Sequence, residues 1–251
     1  MSLASLPRGR FGRIGSPFVF LPETGSTNDA AASLGTEGAV VVAGAQTAGR
    51  GRRGHNWHSP AGAGLYVSVV LTPQRAAIDP TRATRLLTLA AGVAIAEGVG
   101  AAAALHADLK WPNDLFVGRR KLGGILAEAD ADRVVLGYGV NVLAAAYPPD
   151  VADRATSLEA ETGRVVDRRA LLIATLESLS CRYDDLLAGR FDAILDAWRD
   201  RAPAAAGARV SWTTPAGERS GVTSGIDGDG ALLVRADQRL ERITAGELRW
   251  L

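Results

Sequence analysis

With 251 residues, 47% of them apolar and 22% charged, the chain has the composition of an ordinary globular protein, long enough for one large domain and a small one. A formal net charge of +1 excludes a global field suited to nucleic acid or an anionic membrane, so any basic patch is local. The single cysteine, Cys181, excludes an internal disulfide framework and fits a reducing cytoplasm; its helical surroundings predict a core residue and not a nucleophile.

The N-terminal stretch carries arginines but no continuous apolar run of signal-peptide length. Phe18 to Leu21 reads as a short strand, and Ser26-Thr27-Asn28 offers capping groups for a helix through Leu34. Ala39 to Gln46 is a β-branched run, hence a buried strand, and it leads into a Gly/Arg loop from Thr47 to Pro60. Leu65 to Thr72 is another strand. Asp79 to Gly98 has helical apolar spacing. The most apolar stretch, Leu86 to Leu105, is rich in Ala and Gly and broken by Glu97, which predicts a buried helix and then a loop, not a membrane span.

Leu109 to Trp111 is extended and stopped by the turn Pro112-Asn113-Asp114. A hairpin pattern follows, from Leu115 to Val117 and from Leu122 to Glu128. Arg133 to Val142 would be a central strand whose glycines, Gly137 and Gly139, mark close approach of a ligand or another backbone. Helices are predicted over Asp167–Leu187 and Phe191–Arg201. Ala202 to Gly207 is the linker candidate, followed by four short strand-like segments that suggest a small barrel. The expected division is therefore 1–205 and 206–251.

The basic residues are unusual. Of 28, only Lys110 and Lys121 are lysines, and they lie close together in the sequence. A compact ammonium and a planar guanidinium are not interchangeable at a tight charged site, so both lysines are candidates for chemistry. The Gly/Arg loop adds Arg50, Arg52 and Arg53 between Gly49, Gly51 and Gly54, where guanidinium groups could cradle a carboxylate or phosphate. It is not a P-loop, since no GxxxxGK[ST] occurs, and it matches GxGxxG only as a string. A solvated RG-type segment touching nucleic acid is the bland alternative. Three histidines and one cysteine make a thin case for zinc, and no GxSxG elbow is present. Carboxylates of Asp108, Asp114 and Glu128 could do acid/base work.

Four clusters stand in order: GSTND (Gly25 to Asp29), QTAGRGRRGHNW (Gln46 to Trp57), KWPND with KLGGILAE (Lys110 to Glu128), and GYGVN (Gly137 to Asn141). Together they resemble the biotin protein ligase family. The resemblance is strong over Glu23 to Asn141, and rests on architecture alone in the C-terminal part. It implies an α+β fold related to class II aminoacyl-tRNA synthetases and lipoate ligases. That fold is a biotin/lipoate ligase-like catalytic domain with a mixed sheet and flanking helices, followed by a small C-terminal SH3-like β-barrel. Because few residues precede GSTND, the resemblance implies the monofunctional type, without the DNA-binding domain of some members.

The activity so implied has two steps. Biotin and ATP, with Mg2+, give biotinyl-adenylate; a lysine of a biotin carboxyl carrier domain of an acyl-CoA carboxylase then takes the biotin. By match to the family, Lys121 and Arg50 are the catalytic cations. Ser26, Thr27, Asn28, Gln46, Gly49, Arg50, Gly51, Arg52, Lys121, Gly124, Gly137 and Gly139 are expected at biotin. Arg52, Arg53, His55, Trp57, Lys110, Asn113, Asp114 and Asn141 are expected at ATP, with magnesium held mainly by the phosphates. Two positions weaken the match: His55 stands where many relatives carry a basic residue, and Ala101 to Ala104 blur the start of the KWPND strand. The Gly/Arg loop is expected to order when biotin binds, shielding the mixed anhydride from water. The expected protein is cytoplasmic, a monomer or weak homodimer, with no nucleic acid or membrane partner. A lipoate or octanoate ligase on the same fold, a nucleic-acid-binding module, and a biotin-holding protein without turnover are the alternatives.

Overall fold

The computed structural model describes residue 3 and residues 9–130, 132–144, 148, 151, 153–214, 217–237, 239–244, 246 and 248–251. The chain enters its first sheet at Phe18–Leu21 (β1), then forms the helix Thr27–Leu34 (α1). Ser26 is extended and its hydroxyl accepts from the Asn28 amide at 3.3 Å, as the capping sequence predicts. Gly35 ends the helix in the left-handed conformation, φ 58°. The next strand, Val40–Ala43 (β2), is shorter than its apolar run; beyond Ala43 backbone hydrogen bonds continue irregularly, including an isolated bridge between Thr24 and Gln46.

Gly64–Leu71 (β3), Asp108–Lys110 (β4), Asp114–Val117 (β5), Arg120–Asp130 (β6) and Arg133–Asn141 (β7) complete a seven-stranded sheet in the order β1-β2-β3-β7-β6-β5-β4. β1 and β2 pair parallel, with α1 as the crossover; the remaining neighbours are antiparallel. The period of two divides the side chains of these strands between two faces. Val40, Val42, Leu65, Val67, Val69 and Leu71 point into the main core, against Pro80–Ala103 (α2) and Arg168–Leu187 (α4). Burying each such side chain contributes roughly 1.5–3 kcal/mol. Val41, Val70 and Val135 point the other way, onto Ala31 of α1. That second face carries the site.

Two expectations need correction, and the linker candidate proves to be packed. α2 continues through Ala103, ending at Ala104 with φ 54°, where a loop was expected after Gly98. Alanine is the best helix former, so the Ala run extends the helix until the chain must turn toward β4. This helix is apolar and long enough to cross a membrane by composition, but most of it is buried within the fold. Cys181 is exposed, because the buried stripe of α4 runs through Leu172, Leu176, Leu179, Tyr183 and Leu186, and position 181 falls off that stripe. The supposed linker is packed: Ala202 and Ala205 are buried, and the Leu109 amide donates to the Arg201 carbonyl at 2.6 Å. Its small side chains let the backbone lie close to β4. Two further helices, Leu158–Thr162 (α3) and Phe191–Arg199 (α5), flank α4; α3 had no periodic signal.

The C-terminal part is a five-stranded antiparallel sheet, one strand more than predicted. Ala206–Thr214 (β8), Gly217–Ile226 (β9), Leu232–Ala236 (β10), Arg239–Ile243 (β11) and Leu248–Trp250 (β12) run in the order β11-β10-β9-β8-β12. Among the described residues no pairing joins β11 to β12 and no closed barrel is seen; the antiparallel sheet is consistent with the expected SH3-like module. The turn between β9 and β10 docks on the larger part: Arg82 of α2 donates to the Gly228 carbonyl at 2.8 Å, and the Trp111 indole to the Gly230 carbonyl at 2.9 Å.

Candidate active site

The N-terminus of α1, the Gly/Arg loop, β5 to β7 and the C-terminal strand converge on a cleft of about 310 Å³. Its floor is the face of the sheet where Gly124 pairs with Gly139, and Gly137 with both Leu126 and Ser68. Side chains at the glycines would fill it. A Cβ on Gly137 would lie 2.2 Å from Asn28 Oδ1, and one on Gly139 would lie 2.5 Å from Trp57 Nε1. The GYGVN pattern thus lets Asn28 and Trp57 rest directly on the sheet; the close approach is made by side chains, where a ligand or another backbone was expected.

At one end stands a partly buried polar network. The Thr27 amide and hydroxyl both donate to Gln46 Oε1, at 2.8 and 3.0 Å, and Gln46 Nε2 donates to the Ser59 hydroxyl at 2.9 Å. The Ser68 hydroxyl lies 2.7 Å from Thr27 Oγ1 and 2.6 Å from Asn28 Oδ1. Asn28 Nδ2 donates to Glu128 at 2.5 Å. Ser26, Thr27, Asn28 and Ser68 are all buried, so these bonds orient groups that water cannot reach freely. Ser68 was missed in the sequence. Its one signal is a lone hydroxyl in the otherwise apolar LYVSVVL, on the residue whose neighbours point to the core.

The loop brings most of its charge to the cleft. Arg50 forks onto Asp29 at 2.7 and 2.8 Å and reaches Glu128 at 3.0 Å. Hydrogen bonding to Asp29, then to Glu128, holds the Arg50 pKa above its ordinary value, and the Asp29 pKa is lowered in turn, chiefly by the Arg50 bond. Arg50 therefore ties the loop to α1 and β6 here. Arg52 is half-buried and donates to Asn113 Oδ1 at 3.3 Å; desolvation depresses its pKa. Arg53 lines the cleft in the left-handed region, φ 56°, a strained conformation for a side-chain-bearing residue. The His55 carbonyl accepts from the Gly51 amide at 2.7 Å, and both residues border the cleft. Gly49 lies behind it: a Cβ there would meet the Trp57 carbonyl at 2.5 Å, so this glycine shapes the loop without lining the cavity.

At the other end both lysines enter the same space. Lys121 Nζ pairs with Asp114 Oδ1 at 2.7 Å and lies 5.5 Å from the centre of the Trp57 ring. Its backbone is gripped on both sides: the Lys121 amide donates to the Arg154 carbonyl at 2.8 Å, and its carbonyl accepts from Thr156 at 2.9 Å. Asn141 lies outside the cleft and donates to the Thr156 carbonyl at 3.0 Å, bracing the segment that holds Lys121. Asn113 Nδ2 donates to the Ile125 carbonyl at 2.7 Å, which keeps its side chain beside β6. Lys110 sits over the rings of Phe116 and Trp250, and burial lowers its pKa, against the opposing pull of Asp114. The Trp57 indole N–H is buried with no hydrogen-bond partner among the described residues, a donor whose desolvation an incoming acceptor would offset.

Among the described residues five cationic side chains and one carboxylate, Asp114, line this cleft; Arg50 is paired with Asp29 and Glu128, and the remaining positive charge favours an anionic ligand. Among the described residues no group of three or more His, Cys, Asp or Glu side chains converges as a metal site. The oxygens present, of Asp114 and Asn113, suit a magnesium ion that keeps most of its coordination on phosphate and water.

Residues 21–142 match the model of the biotin/lipoate A/B protein ligase family. Two bacterial relatives named biotin–[acetyl-CoA-carboxylase] ligase are similar over most of their length. That of Paracoccus denitrificans is 35% identical over 91% of this chain and 98% of its own, and that of Mycobacterium tuberculosis 34% identical over 90% and 86%. The bifunctional ligase/repressor of Bacillus subtilis is 36% identical over 84% of this chain, which spans only 66% of that protein's length. Among solved structures, the biotin protein ligase of Aquifex aeolicus in complex with biotin and ATP superposes with a TM-score of 0.82. It is 28% identical, over 93% of this chain and 98% of that one. In sequence as in fold, the chain belongs to the biotin protein ligases of the biotin/lipoate A/B protein ligase family.

Proposed function

We propose that this chain activates biotin with ATP, as biotinyl-adenylate, and transfers it to a lysine of a biotin carboxyl carrier domain in the cytoplasm. One observation carries the reading. Both lysines of the chain meet in one cleft with the Gly/Arg loop, beside the partly buried Thr27–Gln46–Asn28 network. The network offers fixed donors and acceptors to a neutral polar ring, and the apolar floor between it and Lys121 suits an aliphatic chain.

In the first step a biotin carboxylate oxygen attacks the α-phosphorus and pyrophosphate leaves. Two unit charges about 4 Å apart repel by about 4 kcal/mol at an effective dielectric near 20, so the approach needs fixed cations. Lys121 supplies one between carboxylate and phosphoryl oxygens, aimed by Asp114 and by its clamped backbone. Arg52, Arg53 and Lys110 face the remaining phosphate charge, with Asn113 steadying Arg52. Asp114 and Asn113 would help hold a magnesium ion that came with the nucleotide, and its charge would ease departure of pyrophosphate. Arg50 holds the loop over the biotin end through Asp29 and Glu128. In the second step the carrier amine attacks the acyl carbon and AMP leaves.

The test is exchange of labelled pyrophosphate into ATP by the purified chain, with biotin, lipoate or neither. Exchange that requires biotin, ignores lipoate and collapses in Lys121→Ala is expected. Exchange supported equally by lipoate would move the substrate to another acyl chain. No exchange with either acid, from folded protein with magnesium, would refute the ligase reading.

A further inference from the structure

The C-terminal strand reaches the site. Leu248 and Trp250 of β12 line the cleft with Lys110 and Asp114, although they lie more than a hundred residues downstream. β12 is held at the edge of its sheet by pairing with β8, Leu248 opposite Trp212 and Trp250 opposite Val210. From there the Trp250 ring stands 5.0 Å from Lys110 Nζ, while Phe116 of β5, the strand paired with β4, stands 4.4 Å from it. The ammonium thus lies within cation–π reach of two rings. Lys110 is half-buried; Asp114 attracts its charge and Lys121 opposes it, and among the described residues no carboxylate lies within ion-pair distance of the ammonium. Aromatic faces attract a cation without neutralising it, which leaves its charge available to an anion.

We propose that Trp250 is a positioning residue: it and Phe116 hold the Lys110 ammonium in the cleft, ready for nucleotide phosphate, so that the C-terminal sheet completes the ATP end of the site. The inference rests on the ligase reading for its functional consequence, and on the lysine clamp alone for its structural content. An aspartate in place of either ring would lock Lys110 in an ion pair and spend its charge. A cation–π clamp keeps the geometry and spares the charge. The clamp also makes the docking of the C-terminal part, through Gly228 and Gly230, a determinant of nucleotide affinity and not only of stability.

The experiment compares wild type, Trp250→Ala, Trp250→Phe, Lys110→Ala and the double variant Lys110→Ala/Trp250→Ala. With lysine labelled with 13C, the chain gives only two lysine spin systems. The Lys110 εCH2 signal should lie upfield through ring currents, move downfield in Trp250→Ala and stay near its wild-type place in Trp250→Phe. In pyrophosphate exchange, Trp250→Ala should raise KM for ATP roughly tenfold, equivalent to about 1.4 kcal/mol, with biotin Kd unchanged and Trp250→Phe restoring most of the loss. In the Lys110→Ala background the second substitution should add little, because its effect runs through the lysine. An unmoved Lys110 signal in Trp250→Ala refutes the clamp even if the protein proves to have another activity. A moved signal with KM for ATP unchanged, in an enzyme that does exchange, refutes the positioning role. Wild-type protein with the upfield signal but no exchange would refute the ligase reading and, with it, the role at ATP, while leaving the clamp standing.

Discussion

Replacing Gly137 by alanine is the sharpest probe of the biotin end. The new methyl carbon would stand 2.2 Å from Asn28 Oδ1 and 3.0 Å from Asn28 Cγ. An ordinary contact requires Asn28 to retreat by about 1 Å or more. That retreat breaks the 2.6 Å contact with the Ser68 hydroxyl and the 2.5 Å bond to Glu128, and leaves Ser68 buried beneath it. Overpacking of this kind costs about 1–3 kcal/mol. A lost neutral hydrogen bond adds about 1 kcal/mol, and one to a charged group about 1.5–3 kcal/mol, part of it recovered if the groups repair with water. We expect a loss of about 2 kcal/mol in stability and a ten- to hundredfold rise in biotin Kd, at about 1.4 kcal/mol per tenfold. Calorimetric titration with biotin, well below the unfolding temperature, reads the second effect apart from the first, which a urea titration gives. A Kd within twofold of wild type, together with an unchanged midpoint, would refute the close packing of Asn28 on Gly137 and its role at biotin.

Lys121→Arg should behave nearly as badly as Lys121→Ala, because a guanidinium is too broad for the space between Asp114, Trp57 and Gly124. Both should lower kcat for exchange by about a hundred- to a thousandfold, in keeping with about 3–4 kcal/mol for a lost transition-state charge partner; an arginine variant within tenfold of wild type would break the argument from lysine scarcity. Glu128→Gln keeps an acceptor for Asn28 but loses the ion pair with Arg50, so the loop should become more sensitive to trypsin at residues 50–53 while biotin still binds; equal cleavage rates would count against Arg50 as the loop's tether. Asp29, whose pKa is depressed by Arg50, should keep its pairing through the usual carboxylate titration range and lose it only as pH falls through the lowered value. The sign follows from the ionised form being the one stabilised in the fold, and carboxyl NMR titration of Asp29 should show the lowered midpoint return to the ordinary range in Arg50→Ala.

Much of this protein is legible in the one-dimensional pattern, because the relevant physics is local. Caps such as Ser26, apolar runs such as Val40–Val42, and the turn at Pro112-Asn113-Asp114 act over a few residues, and so do the motifs that carry the family resemblance. The scarcity of lysine is likewise visible in composition, and both lysines do lie in the cleft. Tertiary structure decided what depends on through-space distance. It alone showed that Ser68 joins Thr27 and Asn28, that Arg50 is engaged by Asp29 and Glu128, and that Gly49 and Asn141 sit outside the cavity. It also turned the apparent linker into packed chain, placed Cys181 at the surface, and brought Trp250 to Lys110. Spacing along the chain carries no information about which strand of one sheet will face which loop of another. That is set by how two sheets and α2 bury their apolar faces together, an outcome of packing the whole chain at once.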